Sequence, residues 1–336
     1  MTIWKQNKNF SIVLDFPEGG RLDAWPMSSA QKSALDFRIG NIAVRGPLLV
    51  AAGPWSSGEQ SMDPLRAAGA IVAKTITAEP RAGNPPPVLQ PLLGPGRGFL
   101  NRVGLRNPGV TEYVRTQLQV ALRCGAPIIQ SFTAHTQAEV ERILAELEPQ
   151  PLVGYELNAS CPNAVSGQLD GEVLRTVLRR ARRLTQRGIW VKLAYAPAEL
   201  LLTRARICAE EGADAITAIN TLPGLDVHSA AGAPHSFAIF RGGLSGPALT
   251  PLAQWAVDFL CKEQPLPVVA CGGTRSITEV LAFAALGAAA VQVGSVQLHR
   301  ENSLPRLQRE LGRALRRFDV TNFRALGEVL CPRSTS

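Results

Sequence analysis

The chain has 336 residues, 46% of them hydrophobic and 18% charged, and a formal net charge of +8. That is enough chain to bury a large core, and it suits either one α/β barrel or two ordinary domains of a soluble globular protein. The six cysteines (124, 161, 208, 261, 271 and 331) form no CxxC pair and no metal-ligand spacing, so no metal site is expected and the thiols read as reduced.

Residues 1–34 contain Lys5 and Lys8 but no continuous apolar segment long enough for a signal peptide or a membrane helix, and none follows later. A cytoplasmic protein with no membrane partner is expected. The basic residues fall mainly on stretches of helical period, "RTVLRRARRLTQR" and "RLQRELGRALRRF". They read as solvated helix faces, so no nucleic-acid partner is expected.

Apolar, β-branched runs follow one another along the chain: "PLLVAAG" (47–53), "AIVAKT" (70–75), "PIIQSFT" (127–133), "LVGYELNAS" (152–160), "GIWVKLA" (188–194), "AITAINT" (215–221), "PVVACGG" (267–273) and "AAAVQVGS" (288–295). Stretches of helical period such as "TQAEVERILAEL" and "AELLLTRARICAEEG" lie between most of them. Near-continuous hydrophobic strands separated by helices imply a parallel sheet, and eight of them predict a closed (β/α)8 TIM barrel with short insertions at its C-terminal face. An open, doubly wound sheet is the alternative. A weak repeat, "AAGAIVAKT", "EEGADAITAIN" and "ALGAAAVQVGS", predicts helices that end at Gly just before a strand.

In such a barrel, function sits where the strands end. Those ends carry Ala52 and Gly53, Lys74 and Thr75, Ser131 and Thr133, Asn158 with Cys161 and Asn163, Lys192, Asn220 with Thr221, Gly272 with Gly273, and Gly294 with Ser295. Two lysines and several amides on one rim point to a site rather than to snorkelling surface residues. The last two loops, "ACGGTRS" and "VQVGS", place glycines and hydroxyls before helix starts, as a phosphate-binding site requires. Tight βα turns would account for the same glycines.

"ELNASCPN", "KTITAEPRAGNPPP", "FLNRVGLRNPGV", "WVKL", "GADAITAINT", "GGLSGPALTPLA" and "ACGGTRSITEVLAFAALGAAAVQVGS" occur in the order in which the soluble, cysteine-dependent dihydroorotate dehydrogenases carry them, and from about residue 35 to about residue 300 the chain resembles that family. "INTLPG" with "GGLSGPA" resembles the branch whose catalytic subunit pairs with an iron–sulfur flavoprotein that uses NAD. The resemblance implies a small-molecule substrate, FMN as cofactor, a homodimer and an iron–sulfur electron-transfer subunit as partner. It also implies that Cys161 is the base that removes a proton from the substrate while a hydride leaves for the flavin. Asn101, Asn158, Asn163 and Asn220, with Thr221, would hold the substrate ring, and the backbone of Val103, Gly104 and Leu105 its carboxylate. Lys74 and Lys192 would contact the flavin, Ala52, Gly53, Thr75 and Gly246 would line its ring, and Gly272, Gly273, Gly294 and Ser295 would hold its phosphate. On this reading residues 1–34 are an N-terminal extension, 35–318 the FMN-binding barrel and 319–336 a tail.

The chain departs from the family pattern in places. Ser131 replaces an Asn and is followed by Phe132 and, further on, His135; Pro54 and Trp55 stand in the opening after the first strand; Arg102 occupies a loop position that is usually small. Arg102 is expected either at the pocket mouth, selecting an anionic substrate, or in solvent. These changes leave the substrate open among dihydroorotate, a dihydropyrimidine and a natural-product ring. Two readings from other classes are a flavin-free barrel lyase or isomerase for a phosphorylated metabolite, and a flavin- or phosphate-binding module without turnover. Cys124, Cys208, Cys261 and Cys271 are expected to be packing residues.

Overall fold

The computed structural model describes residues 37–332 except 60–61, 63–64, 93–97, 161–168, 170, 230–236 and 299–302. The expected N-terminal extension, Cys161 and Asn163 therefore lie outside the described residues.

Eight short parallel strands close on themselves, each hydrogen-bonded to the next: β3 (Leu48–Val50), β4 (Ile71–Ile76), β7 (Ile128–Phe132), β8 (Gly154–Asn158), β9 (Gly188–Leu193), β10 (Ala215–Ala218), β13 (Val268–Cys271) and β14 (Ala290–Val293), which returns to β3. They are the eight apolar runs of the sequence, and closure removes the edges that an open sheet would expose. The barrel, not the doubly wound sheet, is the fold.

Seven helices follow within or between these units, α1 (Val110–Arg115), α2 (Gln117–Arg123), α3 (Gln137–Leu147), α4 (Gly171–Leu184), α5 (Ala198–Glu210), α6 (Thr250–Glu263) and α7 (Ile277–Ala285), and then α8 (Ser303–Arg317) and α9 (Phe323–Leu330). Capping boxes start two of them: Thr136 with Glu139 opens α3, and Ser276 with Glu279 opens α7. Val140, Ile143, Leu144 and Leu147 form the buried stripe of α3 at the spacing of three and four that the sequence shows. Gly212 and Gly287 end α5 and the turn after α7 with positive φ, as the repeat predicts. The expected tail contains α9, whose Phe323 and Leu326 are buried. Four of the five arginines of α4 are used in ion pairs: Arg175 and Arg179 meet Glu211, Arg180 meets Glu141 and Arg182 meets Asp214. Among the described residues no helix is long and apolar enough to cross a membrane.

The bottom of the barrel is plugged by an antiparallel hairpin, β1 (Phe37–Ile39) and β2 (Ile42–Val44). Ile39, Ile42 and Val44 pack on the inward side chains of Leu49, Val72, Ile129, Trp190, Ala215, Val269 and Ala290. The plug fits because Gly154 and Gly188 leave room for it: a Cβ on either would come within 2.3 or 2.4 Å of the Ile42 side chain. At the opposite end, insertions after β4 and β10 supply a four-stranded antiparallel sheet, ordered β11 (Leu222–Ser229), β12 (Phe237–Ser245), β6 (Phe99–Asn101) and β5 (Leu89–Pro91). These are the insertions expected at the C-terminal face.

Candidate active site

Side chains alternate along a strand, so the inward positions recur every second residue. Two residues above the apolar plug layer they are Lys74, Ser131, Glu156, Lys192, Thr217, Cys271 and Gln292, beside Ala51. One step along the barrel thus changes the interior from apolar to polar. Above this floor lies a cavity of about 360 Å³.

Of the residues singled out from the sequence, Ala52, Gly53, Lys74, Thr75, Asn101, Val103, Gly104, Leu105, Asn158, Lys192, Asn220, Thr221, Gly246, Gly272, Gly273, Gly294 and Ser295 all line that one cavity. Residues separated by more than two hundred positions meet because each ends a barrel strand or sits on the sheet above it. Arg102 does not line the cavity: its Nε donates to the Pro87 carbonyl (2.8 Å) and its guanidinium lies 4.7 Å from the centre of the Phe240 ring. Trp55 does line it, its Nε1 donating to the Ala51 carbonyl (2.7 Å), while His135 does not.

The amides are held by a continuous network. Asn158 Nδ2 donates to Thr75 Oγ1 (3.2 Å), which is in contact with Ser131 Oγ at 2.9 Å, and Asn220 Nδ2 donates to the carbonyl of Ser160 (3.0 Å) and to Asn158 Oδ1 (3.3 Å). Ser131, where an Asn was the family pattern, is thus a buried support behind Thr75. The segment carrying Val103, Gly104 and Leu105 is held in a tight turn, with positive φ at Gly104 (71°) and Leu105 (59°). Asn107 fixes it by donating to the Leu105 carbonyl (2.7 Å) and Thr77 Oγ1 (2.8 Å), and Lys74 Nζ donates to the carbonyl of Arg106.

The floor contains groups that the rim motifs did not reveal. Glu156 is fully buried, and its Oε2 accepts from Gln292 Nε2 (2.6 Å) and Thr217 Oγ1 (2.9 Å). Cys271, expected as a packing residue, lies on the cavity floor beside Lys192 instead. Burial pushes its thiol above the ordinary range, against the pull of the Lys192 ammonium. Burial alone would lower Lys192, but the Cys271 sulfur and the Glu156 carboxylate outweigh it and hold the ammonium above its usual value. The signal for these residues was present as polar letters inside apolar runs, "YELN", "VVAC" and "VQV", at alternate positions.

The donor set fits a flavin mononucleotide. Lys74 and Lys192 supply positive charge, and the Gly272–Gly273 turn, with φ of 122° and 79°, lets backbone come close to an anion just before the N-terminus of α7. Thr274 Oγ1 and Gln292 Oε1 are buried, border the cavity and have no partner among the described residues. Buried polar atoms in that state call for a polar ligand.

Fold and site together define a barrel enzyme with a polar pocket at the C-terminal ends of its strands. The family model described as "Dihydroorotate dehydrogenase" matches residues 34–315. A relative from Trichlorobacter lovleyi, named dihydroorotate dehydrogenase B (NAD(+)), catalytic subunit, is 34% identical over 272 residues, covering 79% of this chain and 88% of that one. One of the same name from Thermodesulfovibrio yellowstonii is 35% identical over 273 residues, covering 78% and 87%. A crystal structure of DHODH in complex with ferulenol from Eimeria tenella shares the fold, with a TM-score of 0.70 over 86% of both chains at 19% identity. The chain belongs to the dihydroorotate dehydrogenase family, oxidoreductases acting on CH–CH groups. That sets aside the lyase or isomerase reading.

Proposed function

We propose that this protein is the catalytic subunit of a cytoplasmic, FMN-dependent dehydrogenase that oxidises the CH–CH bond of dihydroorotate or a closely related small ring. The observation that carries the reading is the gathering of Lys74, Lys192, Asn101, Asn158, Asn220 and the two glycine turns around one cavity. When bound there, FMN would supply the acceptor for the hydride leaving one ring carbon.

The chain's own residues would do the rest. Asn101, Asn158, Asn220 and Asn163 would orient the ring, and the turn at Val103 to Leu105 would present backbone N–H groups to its carboxylate. Cys161, as thiolate, would take the proton from the carbon next to the ring carbonyl; the electrons of that C–H bond form the new C=C bond, and the thiol later returns its proton to water. The relatives' name supports NAD(+) as final acceptor and a partner subunit; the family resemblance further supports an iron–sulfur protein in that role and a homodimeric barrel.

Anaerobic mixing of purified protein with dihydroorotate, then with neutral dihydropyrimidines, tests the reading. Protein expressed with ample riboflavin should be yellow, and one of these rings should bleach it. A colourless protein would overturn the cofactor assignment. Cys161→Ser should keep its FMN and slow bleaching near neutral pH by about 10²–10⁴-fold, the usual contribution of a general base. Equal rates would remove Cys161 from the role of base.

A further inference from the structure

Glu156 is the buried acid of the barrel that the proposed chemistry leaves unused. It projects from β8 into the floor layer, where its Oε2 accepts two hydrogen bonds from neutral groups and its Oε1 has no partner among the described residues. Thr217 and Gln292 orient the carboxylate but cannot balance its charge. A fully buried carboxylate is costly without a cation to offset it.

The titratable groups around it come from the neighbouring strands. Lys74 on β4 is engaged at the rim by the Arg106 carbonyl. Cys271 on β13 is buried and kept in its neutral thiol form. Lys192 on β9 is only 5% exposed, borders the cavity, and lies two residues beyond Trp190, the register partner of Glu156 on the adjacent strand. Cys271 and Glu156 both hold the Lys192 ammonium up; burial favours the neutral thiol at Cys271, so the carboxylate of Glu156 is the fixed negative charge of this layer.

We propose that Glu156 is the counter-ion that keeps Lys192 protonated in the cavity floor, a positioning residue that acts on the bound flavin through the lysine. The consequence for the cofactor rests on the FMN reading above; the pairing of Glu156 with Lys192 does not. A fixed cation beside a redox ring favours its reduced, more negative form.

Glu156→Gln keeps the shape and both neighbours while removing the charge. The chain has six lysines, so side-chain 15N-lysine NMR of the flavin-free protein is tractable, with Lys192→Arg assigning the signal. In the wild type Lys192 should stay protonated through neutral pH; in Glu156→Gln its midpoint should fall by at least about one pH unit, a tenfold change in the protonation equilibrium. An unchanged midpoint overturns the proposal. On FMN-loaded protein at a pH between the two lysine midpoints, the flavin midpoint potential should become more negative in the variant, because there only the variant's lysine has lost its proton. A shift to more positive potential at that pH, the mark of a lysine that keeps its charge without a counter-ion, overturns it too. Failure to load FMN counts against the proposed function, while the lysine titration still decides the pairing. Should Glu156→Gln not fold, Lys192→Met reverses the test: Glu156 should then take up a proton, giving a carboxylic-acid infrared band absent from the wild type. No such band overturns the proposal.

Discussion

The lower layer of the barrel interior, Val72, Ile129, Trp190, Ala215, Val269 and Ala290 against the Ile39 and Ile42 plug, is held by burial and shape. The layer two residues higher, with Glu156, Lys192, Thr217, Cys271 and Gln292, is held by hydrogen bonds and charge, and its partners are incomplete at Glu156 Oε1 and Gln292 Oε1. The difference separates what stabilises this protein from what equips it for chemistry. Apolar packing is satisfied within the chain, whereas an unfilled polar layer is stable only where a ligand or an internal charge completes it. Changes below should therefore alter stability without altering the pocket, and changes above should do the reverse.

Trp190→Ala is the strongest test from below. Truncating a fully buried tryptophan should cost about 3–5 kcal/mol in denaturant unfolding, while flavin bound per folded molecule stays constant. Loss of flavin affinity in the folded variant would mean that the two layers are coupled. Gly154→Ala probes the plug from the other direction, since its new methyl group would press on Ile42. Overpacking of this kind should cost about 1–3 kcal/mol, again with an unaltered pocket. A neutral result would show that the hairpin yields easily and is not a tightly fitted plug.

Arg102→Ser gives the smallest expected effect and sharpens the boundary of the site. Its contact with Phe240 is worth less than about 1 kcal/mol at such a position. Across a panel of charged and neutral dihydropyrimidines, kcat/KM should stay parallel with the wild type. A selective loss for the anionic rings would show that Arg102 turns into the cavity when substrate binds.

Much of this was legible without coordinates. The eight strands stand out because a parallel barrel strand is covered on both faces and so reads as a continuous apolar run. Lys74, Asn158, Lys192 and the glycine pairs could be gathered onto one rim once strand ends were known to share a face. The direction of Arg102 was not legible, because the Phe240 ring it lies against comes from a distant part of the chain.

The sequence by itself determined the succession of strands, the family and the rim residues, since each is written in local period or in a contiguous motif. Only the tertiary structure decided which polar letters inside the apolar runs meet one another. In "GYELN" and "GIWVKL" both faces of the strand are buried, so nothing local separates a residue facing the helices from one facing the barrel axis. Closure sets the inward phase of every strand at once, and that phase brings Glu156, Lys192, Thr217, Cys271 and Gln292 into one layer under the cavity.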